Sequence, residues 1–191
     1  MNNISKLINS WKTVFTKNDI RKILDFSTTF ALDKFIQRTK ENWIFINLFY
    51  WIYWFKKYNV FEFACKLKKT SYISFETVLQ KEGVVFQDYS NTIFLASDDT
   101  LEKEAVWKIF KFNKLKESIL LNPLWVEYRE NYMIASKERA ICDRIYLSKN
   151  YYFDNLESLN LEKLEEISQI YNKRVILEIK RLITDVKQRQ T

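Results

Sequence analysis

The feature that most limits what this chain can fold into is its scarcity of glycine and proline: one of each in 191 residues, Gly83 and Pro123. Glycine enters the left-handed backbone region without steric cost, and proline presets the bend of a turn. A chain nearly without them is expected to turn on Asn, Asp, Ser and Lys. It also cannot build a glycine-rich phosphate loop, which needs several residues lacking Cβ so that backbone N–H groups close on phosphate. Walker-type and dinucleotide-binding chemistry are excluded on that ground. Histidine is absent, which removes the commonest general base, the usual partner of a Ser or Cys nucleophile and the commonest zinc ligand. The two cysteines, Cys65 and Cys142, lack metal-ligand spacing and sit in apolar helical patterns, as buried reduced thiols do. The expectation is a protein with no catalytic residue, no metal and no cofactor.

Apolar residues make up 47% of the chain, enough for a packed core. Residues 1–10 carry no apolar stretch of signal-peptide length, and the most apolar run, 43–55, is too short and too aromatic to span a bilayer. A cytoplasmic protein without a membrane partner is expected. The net charge is +7, and it is unevenly spread: residues 1–57 hold ten Lys and Arg against four acids, whereas the remaining residues are close to neutral. A basic module joined to a neutral one suggests that the first part meets a polyanion.

Apolar spacing at Ile4, Leu7, Ile8 and Trp11 predicts a helix over 4–15. Thr16 followed three residues on by Asp19 reads as a capping box for a second helix to about Leu24. After a tight connection at 25–27, Ser27 is placed to cap a third helix to about Lys40, with Ala31, Leu32, Phe35 and Ile36 inward. The runs Trp43-Ile44-Phe45-Ile46 and Trp51-Ile52-Tyr53-Trp54 pair as a hairpin across 47–50. Three helices and a hairpin are the order of a winged helix-turn-helix, placed at 1–57. In the third helix Gln37 and Arg38 suit base edges, and Lys34, Lys40, Thr28 and Thr29, with Lys17 before them, suit phosphates. Set against these is the plain alternative of a solvated polar face. At the hairpin tip, Leu48, Phe49 and Tyr50 suit packing against protein better than backbone contact.

Residues 58–191 read as an α+β domain with C-terminal helices. Asn59 caps a helix over 60–69, and Ser74 caps one over 75–81 that Gly83 ends. Strand-like runs follow at 84–86, 92–95, 105–112, 125–128 and 132–134. Helices are expected from Ser136 to 147, over 160–171 and over 174–187. Glu102, Glu104, Glu127 and Glu130 offer a competing reading as a metal-dependent nuclease, but an acid on one strand with acid-x-Lys on the next is not found in register. Solvated strand edges account for them better. A third reading is a protein-interaction module whose winged helix has lost DNA. Ser136 is read as a cap, Glu138 as favouring the helix N-terminus, and Arg139 and Asp143 as an i, i+4 pair.

Two segments carry a family resemblance. Ile134-Ala135-Ser136-Lys137-Glu138-Arg139-Ala140-Ile141-Cys142-Asp143 resembles the A-S-x-E-R-A-I-x-D segment of the AbiEi-type antitoxins of type IV toxin–antitoxin (abortive infection) systems, and Ser71-Tyr72-Ile73-Ser74-Phe75-Glu76-Thr77-Val78-Leu79 resembles that family's S-Y-I-S-x-E-S-A-L segment. The resemblance implies an antitoxin that neutralises a cognate nucleotidyltransferase-like toxin in phage defence. It also implies a transcriptional repressor of its own promoter, bound as operator duplex DNA through the winged helix. Ser71, Tyr72, Ser74, Glu76, Ser136, Glu138, Arg139 and Asp143 match the family's core segments, with no catalytic role for any of them. The sequence departs from the pattern at two glycines, one expected within Phe49-Tyr50-Trp51 and one after Asn122-Pro123, near Trp125.

Overall fold

A computed structural model describes residues 2–49 and 51–189, with side chains described for 2–46 and 51–188. The fold is mixed α+β. The chain divides into two compact units, Met1–Lys69 with Glu130–Tyr132, and Thr70–Arg129 with Met133–Thr191.

The first unit runs α1 (Asn3–Ile8), β1 (Val14–Thr16), α2 (Lys17–Leu24), α3 (Thr29–Glu41), β2 (Ile46–Phe49), β3 (Ile52–Trp54) and α4 (Val60–Leu67). The three strands form an antiparallel sheet in the order β1-β3-β2. The expected helix over 4–15 is corrected to two elements. Ser10 Oγ donates to the Leu7 carbonyl at 2.6 Å and Trp11 takes a positive φ of 58°. Val14-Phe15-Thr16, β-branched and aromatic, then pair with Trp54, Tyr53 and Ile52. Trp11, counted by periodicity as inward, is 87% exposed. The Thr16–Asp19 capping box forms as expected. The N-cap of α3 is Thr28 rather than Ser27. The first hairpin strand begins at Ile46, because the amides of Ile44 and Phe45 are still bonded to the Thr39 carbonyl at the end of α3. Residues 47–49 thus belong to a strand and not to the connection. The expected packing of Leu48, Phe49 and Tyr50 lies outside the described side chains.

The core of this unit is apolar: Leu7, Phe15, Ile20, Leu24, Leu32, Ile36 and Phe45. The rings of Phe15, Phe45 and Phe55 meet at centroid distances of 5.6, 5.3 and 5.5 Å, within the range where edge and tilted contacts add to burial. Helix α4 is held to this unit by polar ties. Glu62 Oε2 accepts from the Thr13 amide at 2.9 Å and hydroxyl at 2.8 Å, and Lys66 pairs with Asp19 at 2.9 Å. The charge step at Lys57 therefore lies inside the first unit, and the division between units falls after Lys69.

The second unit runs β4 (Ser71–Ile73), α5 (Phe75–Lys81), β5 (Thr92–Ser97), β6 (Leu101–Ala105), β7 (Lys108–Lys114), α6 (Glu117–Leu120), β8 (Val126–Arg129), β9 (Tyr132–Ala135), α7 (Lys137–Leu147), α8 (Leu161–Ser168) and α9 (Lys173–Arg189). The mixed sheet has the order β6-β7-β5-β4-β9-β8, parallel at β5–β7 and β4–β9, and antiparallel at β4–β5 and β6–β7. Helix α5 packs on α7, which in turn contacts α8 and α9. Three expectations are corrected. Val84 and Val85 are buried outside any strand, where the Val84 carbonyl accepts from the amides of Asp154 and Asn155. The run 105–112 breaks at Val106-Trp107, both at positive φ, into the β6–β7 hairpin. The helix expected over 160–171 stops at Ser168, leaving Tyr171 in the turn before α9. Positive φ falls on Asp25, Asn131, Asn150 and Gly83, as a glycine-poor chain would have it, but also on Phe75, Val106 and Glu130 and on four tryptophans, Trp11, Trp43, Trp107 and Trp125. Among the described residues no helix is long and apolar enough to cross a membrane.

Asp19 gives this architecture a pH dependence. Burial pushes its carboxyl up, but Lys66 and the Thr16 amide and hydroxyl outweigh that and hold it well below the usual carboxylate range. A depressed folded-state pKa stabilises the fold above the ordinary Asp value, about 3.9, and that stability drains away as pH falls below it. Asp19→Asn is expected to lower the urea midpoint near neutral pH, with the gap to the parent narrowing as pH approaches about 2. A gap independent of pH would show that the charge is not its source.

Candidate functional site

The sequence points to two places, the outer face of α3 and the pair of family-like segments. On α3, burial of Leu32, Ile36 and Thr39 turns the other face outward. Phe30, Asp33, Lys34, Gln37, Arg38 and Glu41 are exposed there at helical spacing, with Lys40 beside them. The candidate residues are in different states. Thr28 Oγ1 is committed as the N-cap, accepting from the Ala31 amide at 3.2 Å. Thr29 Oγ1 accepts from Arg21 at 2.7 Å. Lys17 is paired with Asp33, and Gln37 donates to Glu41 at 2.9 Å. The Lys34 ammonium stands 5.8 Å from the Phe30 ring centroid, a cation–π contact. Arg38 and Lys40 project into solvent with no ion-pair partner among the described residues. Lys34, Arg38 and Lys40 are therefore the cations most available to an anionic partner. Phe30, 77% exposed on the same face, and Arg21 beside Thr29 belong to this surface and were not anticipated.

The family-like segments meet in the interior of the second unit. Arg139 and Asp143 are both fully buried, with Nε to Oδ1 at 3.5 Å. That nitrogen makes no hydrogen bond, so the contact is ionic only. The other guanidinium nitrogens are well used: Nη1 donates to the Leu124 carbonyl at 3.0 Å, and Nη2 to the Ile119 carbonyl at 2.7 Å and the Tyr72 hydroxyl at 3.2 Å. The Asp143 carboxylate accepts from Ser74 Oγ at 2.7 Å, Tyr72 Oη at 3.0 Å and Tyr171 Oη at 2.6 Å. Ser74 is thus an N-cap in position only. Its hydroxyl goes to Asp143, and it makes no cap bond to α5.

The remaining segment residues surround this centre. Ser136 caps α7 as expected, accepting from the Arg139 amide at 3.2 Å. Glu76 pairs with Arg144 at 2.7 Å, and Glu138 with Lys163 at 3.1 Å while also accepting from the Asn160 amide. Ser71 lies in β4, in register with Ser97 of β5. Tyr171 and the carbonyls of Ile119 and Leu124 complete the cluster, and no sequence spacing points to them.

Electrostatically the cluster is closed. Burial alone would lower the Arg139 pKa, but Asp143 beside it drives it above the ordinary arginine value. Burial, then the Asp143 charge, pushes Tyr72 upward, and the same two causes push up Tyr171, so both remain hydroxyl donors. Burial likewise pushes up the Cys142 thiol. With both carboxylate oxygens already accepting from hydroxyls, the cluster binds the fold's own elements. The acids considered for a nuclease do not converge either. Glu102 and Glu104 are on β6 and Glu127 is on β8, the opposite edge strands of the sheet, and Glu130 belongs to the first unit.

Removing one member of a buried ion pair strands the other charge, which typically costs about 3–5 kcal/mol, whereas loss of one hydroxyl donor costs about 1 kcal/mol. Arg139→Ala is expected to fall in the first class and Tyr171→Phe in the second, in urea denaturation followed by circular dichroism. Arg139→Ala within about 1 kcal/mol of the parent would contradict the buried-pair reading. Set beside known proteins, the chain matches no family model and no curated protein sequence.

Proposed function

We propose that the protein is a DNA-binding antitoxin of the AbiEi type, acting in the cytoplasm. Its first unit would be a winged helix on operator DNA, and its second the part that neutralises a nucleotidyltransferase-like toxin. The observation that carries the DNA half is the placement of α2 and α3 between β1 and the β2–β3 hairpin. That arrangement leaves α3 with an exposed polar face that carries Lys34 and Arg38 among Asp33, Gln37 and Glu41, with Lys40 at its side. A helix that follows a short turn and presents fork-shaped and ammonium donors is suited to a major groove, with the hairpin as the wing. The concentration of basic charge in residues 1–57 points the same way.

The antitoxin half rests on the resemblance of the segments 71–79 and 134–143. Their polar residues are turned inward as a framework for the second unit, which supports a role for that unit as a rigid partner surface and not as a catalyst. Exposed faces of α8 and α9, whose backs carry the buried Leu164 and Ile179, would then meet the partner.

Each lost phosphate contact lowers the slope of log K against log salt by about one. Fluorescence anisotropy with duplex DNA from upstream of the gene is expected to show salt-sensitive binding by the parent, and a smaller slope for Lys34→Ala and for Arg38→Ala. Parent-like binding by both variants across the salt range would remove α3 as the reading helix. For the second half, growth rescue in cells expressing the nucleotidyltransferase-like toxin that the reading requires beside this gene is expected from the parent and from the Lys34→Ala, Arg38→Ala double variant. Failure of both proteins to rescue, when both are folded, would remove the antitoxin assignment.

A further inference from the structure

Most tryptophans of this chain occupy backbone positions that favour glycine. The chain has six, and four of them, Trp11, Trp43, Trp107 and Trp125, have φ between 55° and 58°. Positive φ is found in only a few per cent of non-glycine residues, and for a bulky side chain it is an outlier. Three of the four are more than 80% exposed, at 87% for Trp11, 85% for Trp43 and 86% for Trp107. Burial of the indole therefore does not offset the backbone cost at those three sites.

Each position is one where its turn penalises a Cβ. At the end of α5, Gly83 donates to the Gln80 carbonyl at 3.1 Å and Val84 to the Leu79 carbonyl at 2.8 Å, with Gly83 at φ 69°. This is a Schellman motif with glycine at its left-handed residue. The end of α3 repeats it bond for bond: Trp43 donates to the Lys40 carbonyl at 3.0 Å and Ile44 to the Thr39 carbonyl at 3.0 Å. Trp43 stands where Gly83 stands. In the β6–β7 hairpin, Ala105 pairs with Lys108 across a two-residue turn whose members, Val106 and Trp107, are at φ 48° and 58°. Two positive φ values define a type I′ turn, whose second residue is normally glycine. Val126 donates to the Pro123 carbonyl at 3.0 Å, which puts Trp125 at the third position of a turn with positive φ, the glycine position of type II. Trp11 takes the left-handed conformation after α1, its amide bonded to the Ile8 carbonyl at 3.1 Å.

An aromatic kept for contact with a partner needs its ring presented, not a strained backbone, and a helix or strand would carry it without that cost. Of these four, Trp125 is the one whose indole is seen to bond among the described residues, donating to Glu166 at 3.1 Å under the Lys163 ammonium. Trp54 is the contrast. It lies in β3, is 2% exposed, and packs edge-on against Phe63 at 5.3 Å. Its position makes no demand for glycine.

We infer that positions 11, 43, 107 and 125 are glycine positions of this fold, and that the polypeptide made in its source cell carries glycine there. The four codons would be UGA, a triplet that cells with different genetic codes read as stop, tryptophan or glycine. The chain's single glycine fits the same account.

Two measurements test this. The protein with Trp11→Gly, Trp43→Gly, Trp107→Gly and Trp125→Gly is compared with the parent and with the same four sites changed to Ala. Alanine keeps the Cβ that the left-handed region penalises, so it separates relief of backbone strain from loss of the indole. The glycine variant is expected to melt roughly 5–15 °C above the parent, and the alanine variant within a few degrees of the parent. A glycine variant no more stable than the alanine variant overturns the assignment. The second measurement reads the gene and its genome. UGA at the four codons, together with a glycine-accepting transfer RNA bearing the anticodon UCA, is expected. UGG at these codons, or that anticodon on a tryptophan transfer RNA, overturns the codon reading.

Discussion

The second unit depends on one guanidinium held away from water. Arg139, fully buried, fixes the carbonyls that close α6 and the turn before β8. Its counter-ion Asp143 gathers hydroxyls from β4, from the residue before α5 and from the turn between α8 and α9. One ion pair thus ties the sheet to most of the helices around it. Such a pair is not a cheap source of stability, because both ions lose their hydration and recover it only if every lone pair and proton is met. What it supplies is uniqueness. Ser74, Tyr72 and Tyr171 satisfy Asp143 only when β4, α5 and the α8–α9 turn are all in their native places, so a register slip in β4 would leave a charge unsolvated.

The first unit is organised on the opposite plan. Its interior is chiefly aliphatic and aromatic, with Phe15, Phe45 and Phe55 at the centre; the Glu62 carboxylate is buried against Thr13, and Lys12, Asp19 and Lys66 form partly buried contacts. Neutral filling leaves the outer residues of α3 free to vary without disturbing the core. That freedom is what a surface reading a variable sequence would require.

The local devices of the fold were legible in the sequence. The Thr16–Asp19 capping box, the Asn59 and Ser136 caps and the polar face of α3 depend on residues within a few positions of one another. What was hidden depends on distant partners. Val14-Phe15-Thr16 is a strand because Trp54, Tyr53 and Ile52 arrive to pair with it, and periodicity alone continues α1 through it. Ser71-Tyr72-Ile73 is too short to stand out, yet it becomes an interior strand of the sheet. Ser74 looks like a cap and is diverted by a carboxylate sixty-nine residues away. The break at Val106-Trp107 could not be seen, since neither residue type carries a turn signal. Of the candidate residues, Tyr72, Ser74, Arg139 and Asp143 of the segments 71–79 and 134–143 meet in the interior, where their side chains face one another.

The β8–β9 turn bears on the order in which the chain can be completed. Glu130, Asn131 and Tyr132 belong to the first unit, where Asn131 donates to the Trp11 carbonyl at 2.8 Å and the Tyr132 ring meets Phe61 edge-on at 5.4 Å. A ribosome that has released only the first sixty-nine residues has therefore not yet supplied all of that unit. The contacts of Tyr132 with Phe61 and of Asn131 with the Trp11 carbonyl can form only after β4 to β8 have emerged. The N-terminal unit is begun first and can be finished only once the β8–β9 turn has been made.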